Sequence, residues 1–146
     1  MTELEDAFRV QQLIARFANS FDAKAWDALS ACLASSVYTD YSDLRGTPPE
    51  TMSRERFVEL RRIALELLKT HHLAGNVEVQ LDGTRGVARV SMVIHRRGAA
   101  DDSFNTHCLY EFGVEKTAQE WTLCSIVQKV LWSDGQSAIH RGIAKA

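Results

Sequence analysis

Three cysteines in 146 residues, Cys32, Cys108 and Cys124, are too few and too scattered for a disulfide framework. Odd in number and set in apolar segments, they read as reduced core thiols. Charge of one sign is also missing. The formal net charge of -2 offers no broad basic field, which argues against nucleic acid or an anionic membrane as principal partner. No window approaches a membrane-spanning run, and Met1-Thr2-Glu3-Leu4-Glu5-Asp6 is acidic where a secretory signal is basic and then apolar. A cytoplasmic location is the expectation. HExxH, paired cysteines at metal-ligand spacing and His-x-His are all absent, as are GxGxxG, a P-loop and GxSxG. Metal, nucleotide cofactor and serine nucleophile therefore lack support, and a small neutral or weakly charged ligand stays open.

What is present is patterned as one domain, 1–146, long enough to bury a core without staples. Thr2 and Glu5 form a capping-box pattern, followed by Val10, Leu13, Ile14, Phe17 and Phe21 at helical spacing, so the first helix should run to about Ser20. A second helix carries Trp26, Leu29, Cys32 and Leu33, and 37–41 looks extended. Gly46-Thr47-Pro48-Pro49 is the clearest loop. Ser53 caps a third helix with Phe57, Leu60, Ala64, Leu67 and Leu68 on its buried side. Arg54, Glu55, Arg56, Glu59, Arg61 and Arg62 fill its solvated positions.

From His72 onward the period changes to alternation. Strands are expected through Val77 to Leu81, Val87 to His95, Phe104 to Val114 and Glu120 to Trp132, with turns at Asp82-Gly83 and Lys116 to Gln119. Front helices and a following meander imply α+β architecture. A mostly antiparallel sheet curls around the helices and leaves a conical pocket. The tail, 133–146, has no clear period and reads as a lid, a subunit contact or disorder.

Polar residues in apolar surroundings are the candidates for chemistry. Asp22 ends the apolar stripe of the first helix, and His72 precedes Leu73. A carboxylate beside an imidazole fixes the ring tautomer and raises its basicity, making a proton-transferring pair. Each has an ordinary reading as well: Asp22 as N-cap of the second helix, His72 as a hydrogen-bonded histidine at a helix-to-strand junction, with His71 facing solvent. Alternation puts His107, Leu109 and Glu111 on one face of their strand and Thr106, Cys108, Tyr110 and Phe112 on the other, and either face could be inner. Tyr38 and Tyr41 carry hydroxyls that could reach a ligand, and Gln128 an amide.

The order of these residues resembles the SnoaL-like branch of the NTF2-like superfamily, and within it the scytalone dehydratase group. Phe21-Asp22-Ala23-Lys24-Ala25-Trp26-Asp27-Ala28-Leu29 is similar to that group's Tyr-Asp-x-Lys-Asp-Trp-Asp-x-Leu, and Asp40-Tyr41 to its Asp-Tyr. Thr70-His71-His72-Leu73-Ala74-Gly75 is similar to its Thr-x-His-x-x-Gly. His107 stands fourteen residues before Trp121, as the group's second histidine precedes a tryptophan, and Trp132 closes the alignment. The resemblance implies a cone-shaped α+β fold, dimers or trimers, and no metal or organic cofactor. It implies His72 as general base, Asp22 as its orienter, Tyr41 as carbonyl-side donor and His107 as acid for the leaving group. Phe21, Tyr38, Gln128 and Trp132 would then line the substrate site. Phe21 stands where the group has a tyrosine and Gln128 where it has an asparagine, which points to a different substrate. The dehydrochlorinase of hexachlorocyclohexane resembles the chain in the same Asp and His placement.

These readings predict an eliminating lyase, most simply a dehydratase, acting on a small cyclic or aromatic-derived molecule. Isomerisation or polyketide cyclisation in the same pocket is the first alternative. A non-catalytic ligand-binding or assembly module is the second.

Overall fold

The computed structural model describes residues 2–140. Helix α1 (Glu3–Asp22) starts at the expected cap, where Thr2 Oγ1 accepts the Glu5 amide at 3.2 Å and the Glu5 carboxylate accepts the Thr2 amide at 2.7 Å. The helix runs two residues past Ser20. It ends where Lys24 adopts a left-handed backbone (φ 51) and its Nζ donates to the Glu66 carbonyl at 2.9 Å. Helix α2 (Trp26–Ala31) leads into β1 (Leu33–Asp40), then a single-turn α3 (Ser42–Arg45). Gly46 stops α3 in the left-handed region at φ 70, a conformation that costs glycine little, before the Pro48-Pro49 loop. A short β2 (Glu50–Ser53) pairs with β1; neither it nor α3 was expected from the sequence.

Ser53 caps α4 (Arg54–Leu65) by accepting the Arg56 amide at 3.1 Å. Its buried face differs from the expectation. Phe57, Arg61, Ala64 and Leu65 turn inward, while Leu67 lies beyond the helix and is 74% exposed. Then come β3 (Lys69–Asp82), β4 (Arg85–Arg97), β5 (Ser103–Thr117) and β6 (Glu120–Gly135). The six strands are ordered β2-β1-β6-β5-β4-β3, antiparallel throughout except for the parallel β1 and β6. The sheet is curved but unclosed, with β2 and β3 as its edges.

Curvature lets the sheet wrap the apolar stripe of α1. Val10, Leu13, Ile14, Phe17 and Phe21 face Ala88, Val90, Met92 and Ile94 of β4 and Tyr110, Phe112 and Val114 of β5 in one core. Phe17 meets Phe112 edge-on at 5.3 Å. Burying each of those rings stabilises the fold by roughly 1.5–3 kcal/mol. At the N-terminal end of α1, the buried Asp6 accepts Trp121 Nε1 at 2.8 Å and pairs with Lys116 Nζ at 3.1 Å. The Trp121 hydrogen bond and Lys116 hold that carboxyl below its ordinary range despite burial. No described helix is long and apolar enough to cross a membrane.

Candidate functional site

The other end of α1 meets the start of β3. Asp22 occupies the last turn of α1, not the N-cap of α2, which is Ala25. From there its carboxylate reaches the start of β3. Oδ1 is 2.6 Å from His72 Nδ1 and accepts the Thr70 hydroxyl at 3.0 Å, while Oδ2 accepts the His72 backbone amide at 2.8 Å. Fifty residues of sequence separation are closed by docking the helix end against an edge strand. Phe21, one residue earlier, stacks on the His72 ring with centroids 4.9 Å apart and planes within 19°.

These contacts set the protonation states. Burial pushes Asp22 upward, but the hydrogen bonds from the His72 ring and amide, the imidazole's charge and Thr70 together hold it below its ordinary range. Burial pushes His72 below its ordinary value of 6.5, outweighing the opposing pull of Asp22. At neutral pH the pair is therefore a carboxylate and a neutral imidazole. An ionised carboxylate only accepts, so Nδ1 carries the proton and Nε2 keeps the lone pair.

His72 lines a cavity of about 30 Å³ together with Phe17, Phe21, Leu65 and Ile94, and with Tyr41, Tyr110 and Gln128 as polar members. Gln128 Nε2 donates to the Tyr110 hydroxyl at 2.8 Å, leaving Gln128 Oε1 buried without a partner among the described residues. Tyr110 is buried, and burial raises its phenol well above its usual value, so it stays protonated at any working pH. Arg45, Arg61, Arg96 and His140 complete the wall. A wider open groove along α1, near Leu4 and Phe8, contains none of these groups.

Four sequence candidates thus share the cavity with His72: Phe21, Asp22 through its bond to the ring, Tyr41 and Gln128. Three do not. His107 lies on the outer sheet face, where its ring stacks on Trp132 at 4.2 Å, and Trp132 itself is 57% exposed. The inner face of β5 is the Thr106, Cys108, Tyr110, Phe112 set, all buried. His107 therefore cannot serve as acid inside this cavity, nor Trp132 as its wall. Tyr38 is 41% exposed between the buried Val37 and Thr39, so it too faces outward.

The sequence reading missed Thr70, Tyr110, the three arginines and His140. Arg61 was expected in solvent and is 5% exposed. Tyr110 had a signal, since its face of β5 is the more apolar. Within the tail, expected as a lid, a subunit contact or disorder, β6 extends to Gly135, a 3-10 turn covers Ser137–Ile139, and the buried His140 lines the cavity. Residues 141–146 of the expected lid or contact segment lie outside the described residues. No group of three or more His, Cys, Asp or Glu able to hold a metal occurs among the described residues.

An open curved sheet around a helix, with an acid and imidazole meeting at the wall of its hollow, defines an NTF2-like pocket protein. Residues 2–127 match the SnoaL-like domain, and the chain belongs to that family. A scytalone dehydratase-like protein, claB of Passalora fulva, is 27% identical over 89% of this chain and 88% of that one. Among solved structures, the Kfla4162 protein of Kribbella flavida has a TM-score of 0.90 at 18% identity, covering 94% of this chain and 98% of its own. The hexachlorocyclohexane dehydrochlorinase LinA-type3 of Novosphingobium barchaimii has a TM-score of 0.78 at 11% identity, with 94% of each chain covered. The last two likenesses concern the fold.

Proposed function

We propose that the chain is a cofactor-independent lyase that eliminates water, or another small leaving group, from a small cyclic or aromatic-derived molecule. The observation that carries this reading is the 2.6 Å contact between Asp22 Oδ1 and His72 Nδ1 at the edge of an aromatic cavity. His72 Nε2 takes a proton from the carbon beside a carbonyl. The released electron pair forms the new double bond as the leaving group departs. Asp22 stabilises the imidazolium that results. Positioned acid-base help of this kind is typically worth about a hundredfold to ten-thousandfold in rate.

With His107 on the outer face, the proton that leaves with the departing group is returned by the His72 imidazolium, which closes the proton balance. Tyr110 is the hydrogen-bond donor we assign to the leaving group, because burial keeps its phenol protonated and its oxygen already accepts from Gln128. Tyr41 keeps the carbonyl-side role. The three unpaired cysteines, buried or half-buried, suit a reducing compartment such as the cytoplasm. We place a second copy of the chain against the outer sheet face, where Leu109, Leu131 and Trp132 are exposed.

The test is product analysis on cyclic hydroxy ketones. Loss of one water by the wild type, abolished in a folded His72→Ala variant, supports elimination; a product of unchanged mass means isomerisation or cyclisation instead. The narrow cavity, about 30 Å³ where ligand pockets usually exceed roughly 300 Å³, favours one other reading, a non-catalytic module. Co-purification with a large partner and no turnover of any substrate would favour that.

A further inference from the structure

Three arginines enter the cavity from three different elements, and among the described residues none forms an ion pair with an acid. Arg45 closes α3, Arg61 lies in α4 and Arg96 near the end of β4. Arg61 and Arg96 are only 5% and 4% exposed. The Arg61 guanidinium rests 4.5 Å from the Tyr41 ring and 4.4 Å from Phe57, and Arg45 lies 5.1 Å from the same Tyr41. Arg96 donates to Thr106 Oγ1 at 3.1 Å and sits 5.2 Å from Phe104. After these contacts, Arg45 Nε and Arg61 Nη1 are buried with no hydrogen-bond partner among the described residues.

Two acids on adjoining segments are engaged elsewhere. Asp22 is taken by Thr70 and His72, and Asp43 Oδ2 accepts the Val130 amide at 2.7 Å. Among the described residues no carboxylate forms an ion pair with any of the three arginines. Burial and the neighbouring Arg61 push Arg45 down to about 9, so it stays cationic at neutral pH, as does Arg96 at about 10. Burying a guanidinium without a counter-charge is unfavourable, and π faces offset only part of that cost. Such an arrangement makes physical sense when the missing negative charge arrives with a ligand.

We propose that this cavity binds a small cyclic organic acid, whose carboxylate occupies the unpaired donors of Arg45 and Arg61 while its ring packs against Phe17, Phe21 and Tyr41. Each of the two guanidiniums has an N–H free for a carboxylate oxygen, and such charge-assisted bonds are about twice as strong as neutral ones. The aromatic wall supplies what an inorganic anion would not use. Gln128 Oε1, the remaining orphan, takes a hydroxyl donor on the same ring. The proposal rests on the reading above in treating this cavity as the substrate site, and it makes no use of elimination. At about 30 Å³ the cavity is smaller than a ring, so binding requires its wall to open around the ligand while the two guanidiniums stay on the carboxylate.

The test is calorimetric titration of the purified full chain at neutral pH with benzoate, its uncharged isostere benzamide, and inorganic phosphate. Saturable benzoate binding is expected, with benzamide at least about tenfold weaker and phosphate weaker still. Arg61→Met should weaken benzoate by about tenfold or more, yet leave the melting temperature of the unliganded protein equal or higher, since an unpaired buried charge has gone. A purely structural arginine would lower it. Arg45→Gln, at a less buried position, should weaken benzoate likewise and serves if Arg61→Met does not fold. The proposal is overturned if benzamide binds as well as benzoate, if phosphate matches benzoate, if benzoate does not bind, or if the folded arginine variants bind it as the wild type does. Because the readout is binding, the elimination reading fails separately: it falls if His72→Ala retains turnover, whatever benzoate does.

Discussion

Replacing Asp22 by Asn tests the pair without removing any volume. The carboxylate accepts three hydrogen bonds, two on Oδ1 from Thr70 and the His72 ring and one on Oδ2 from the His72 amide. An amide side chain has an accepting oxygen on one side and a donating NH2 on the other, so it cannot accept on both sides. If its NH2 faces the ring, Nδ1 must become the acceptor and the proton moves to Nε2, which can no longer act as base. If its NH2 faces the strand, it opposes the His72 backbone N–H and leaves that donor unpaired. The second arrangement costs about 1 kcal/mol, toward the lower end of the usual penalty because the carboxylate is part-exposed. The first arrangement is therefore the stable one. Asp22→Asn should fold with a modest loss of stability and lose roughly a hundredfold to ten-thousandfold in turnover. Long-range proton–nitrogen NMR of the imidazole, which needs no substrate, should show protonated Nδ1 in the wild type and protonated Nε2 in the variant. Protonated Nε2 in the wild type, or full turnover by the variant, refutes the argument.

The acidity of His72 gives a second check. Its folded value lies below 6.5, so its stabilising contribution is complete above the unfolded value and is lost as pH falls through the depressed one. An NMR titration should place the midpoint below 6.5, and turnover should fall on that same acid limb. His107→Ala should change kcat/KM by less than about twofold, because the ring stacks outside on Trp132; a large loss measured with a confirmed substrate would bring His107 back into the site. Asp6→Ala leaves the buried Trp121 N–H and Lys116 without their acceptor, and should lower the melting temperature while sparing the NMR signature of the His72 ring.

Much of this architecture was legible because each element declared its own period. The stripe from Val10 to Phe21 and the capping box gave α1, and the shift to alternation after His72 gave the meander. Asp22 and His72 were legible as polar residues where apolar ones were due. Which face of β5 turns inward was harder to read. Period two is symmetric under a one-residue shift, and only the greater apolarity of the Cys108, Tyr110 and Phe112 side breaks the tie. Arg61 was illegible for a different reason. An arginine among charged helical neighbours reads as solvated, and its burial depends on Tyr41 and Phe57 rings that sequence spacing does not bring together. Arg45 and His140 belong to segments too short or too irregular to carry a period at all.

Asp22 holds the main chain of His72 as well as its ring, and β3 is an edge strand with a ladder partner on one side only. The proposed base and the seam between helix and sheet thus share a single fastener. Any slippage of α1 away from β3 must uncouple the base and free the His72 amide in the same event. Hydrogen exchange at that one amide would report, in the resting protein, how often the machinery comes apart.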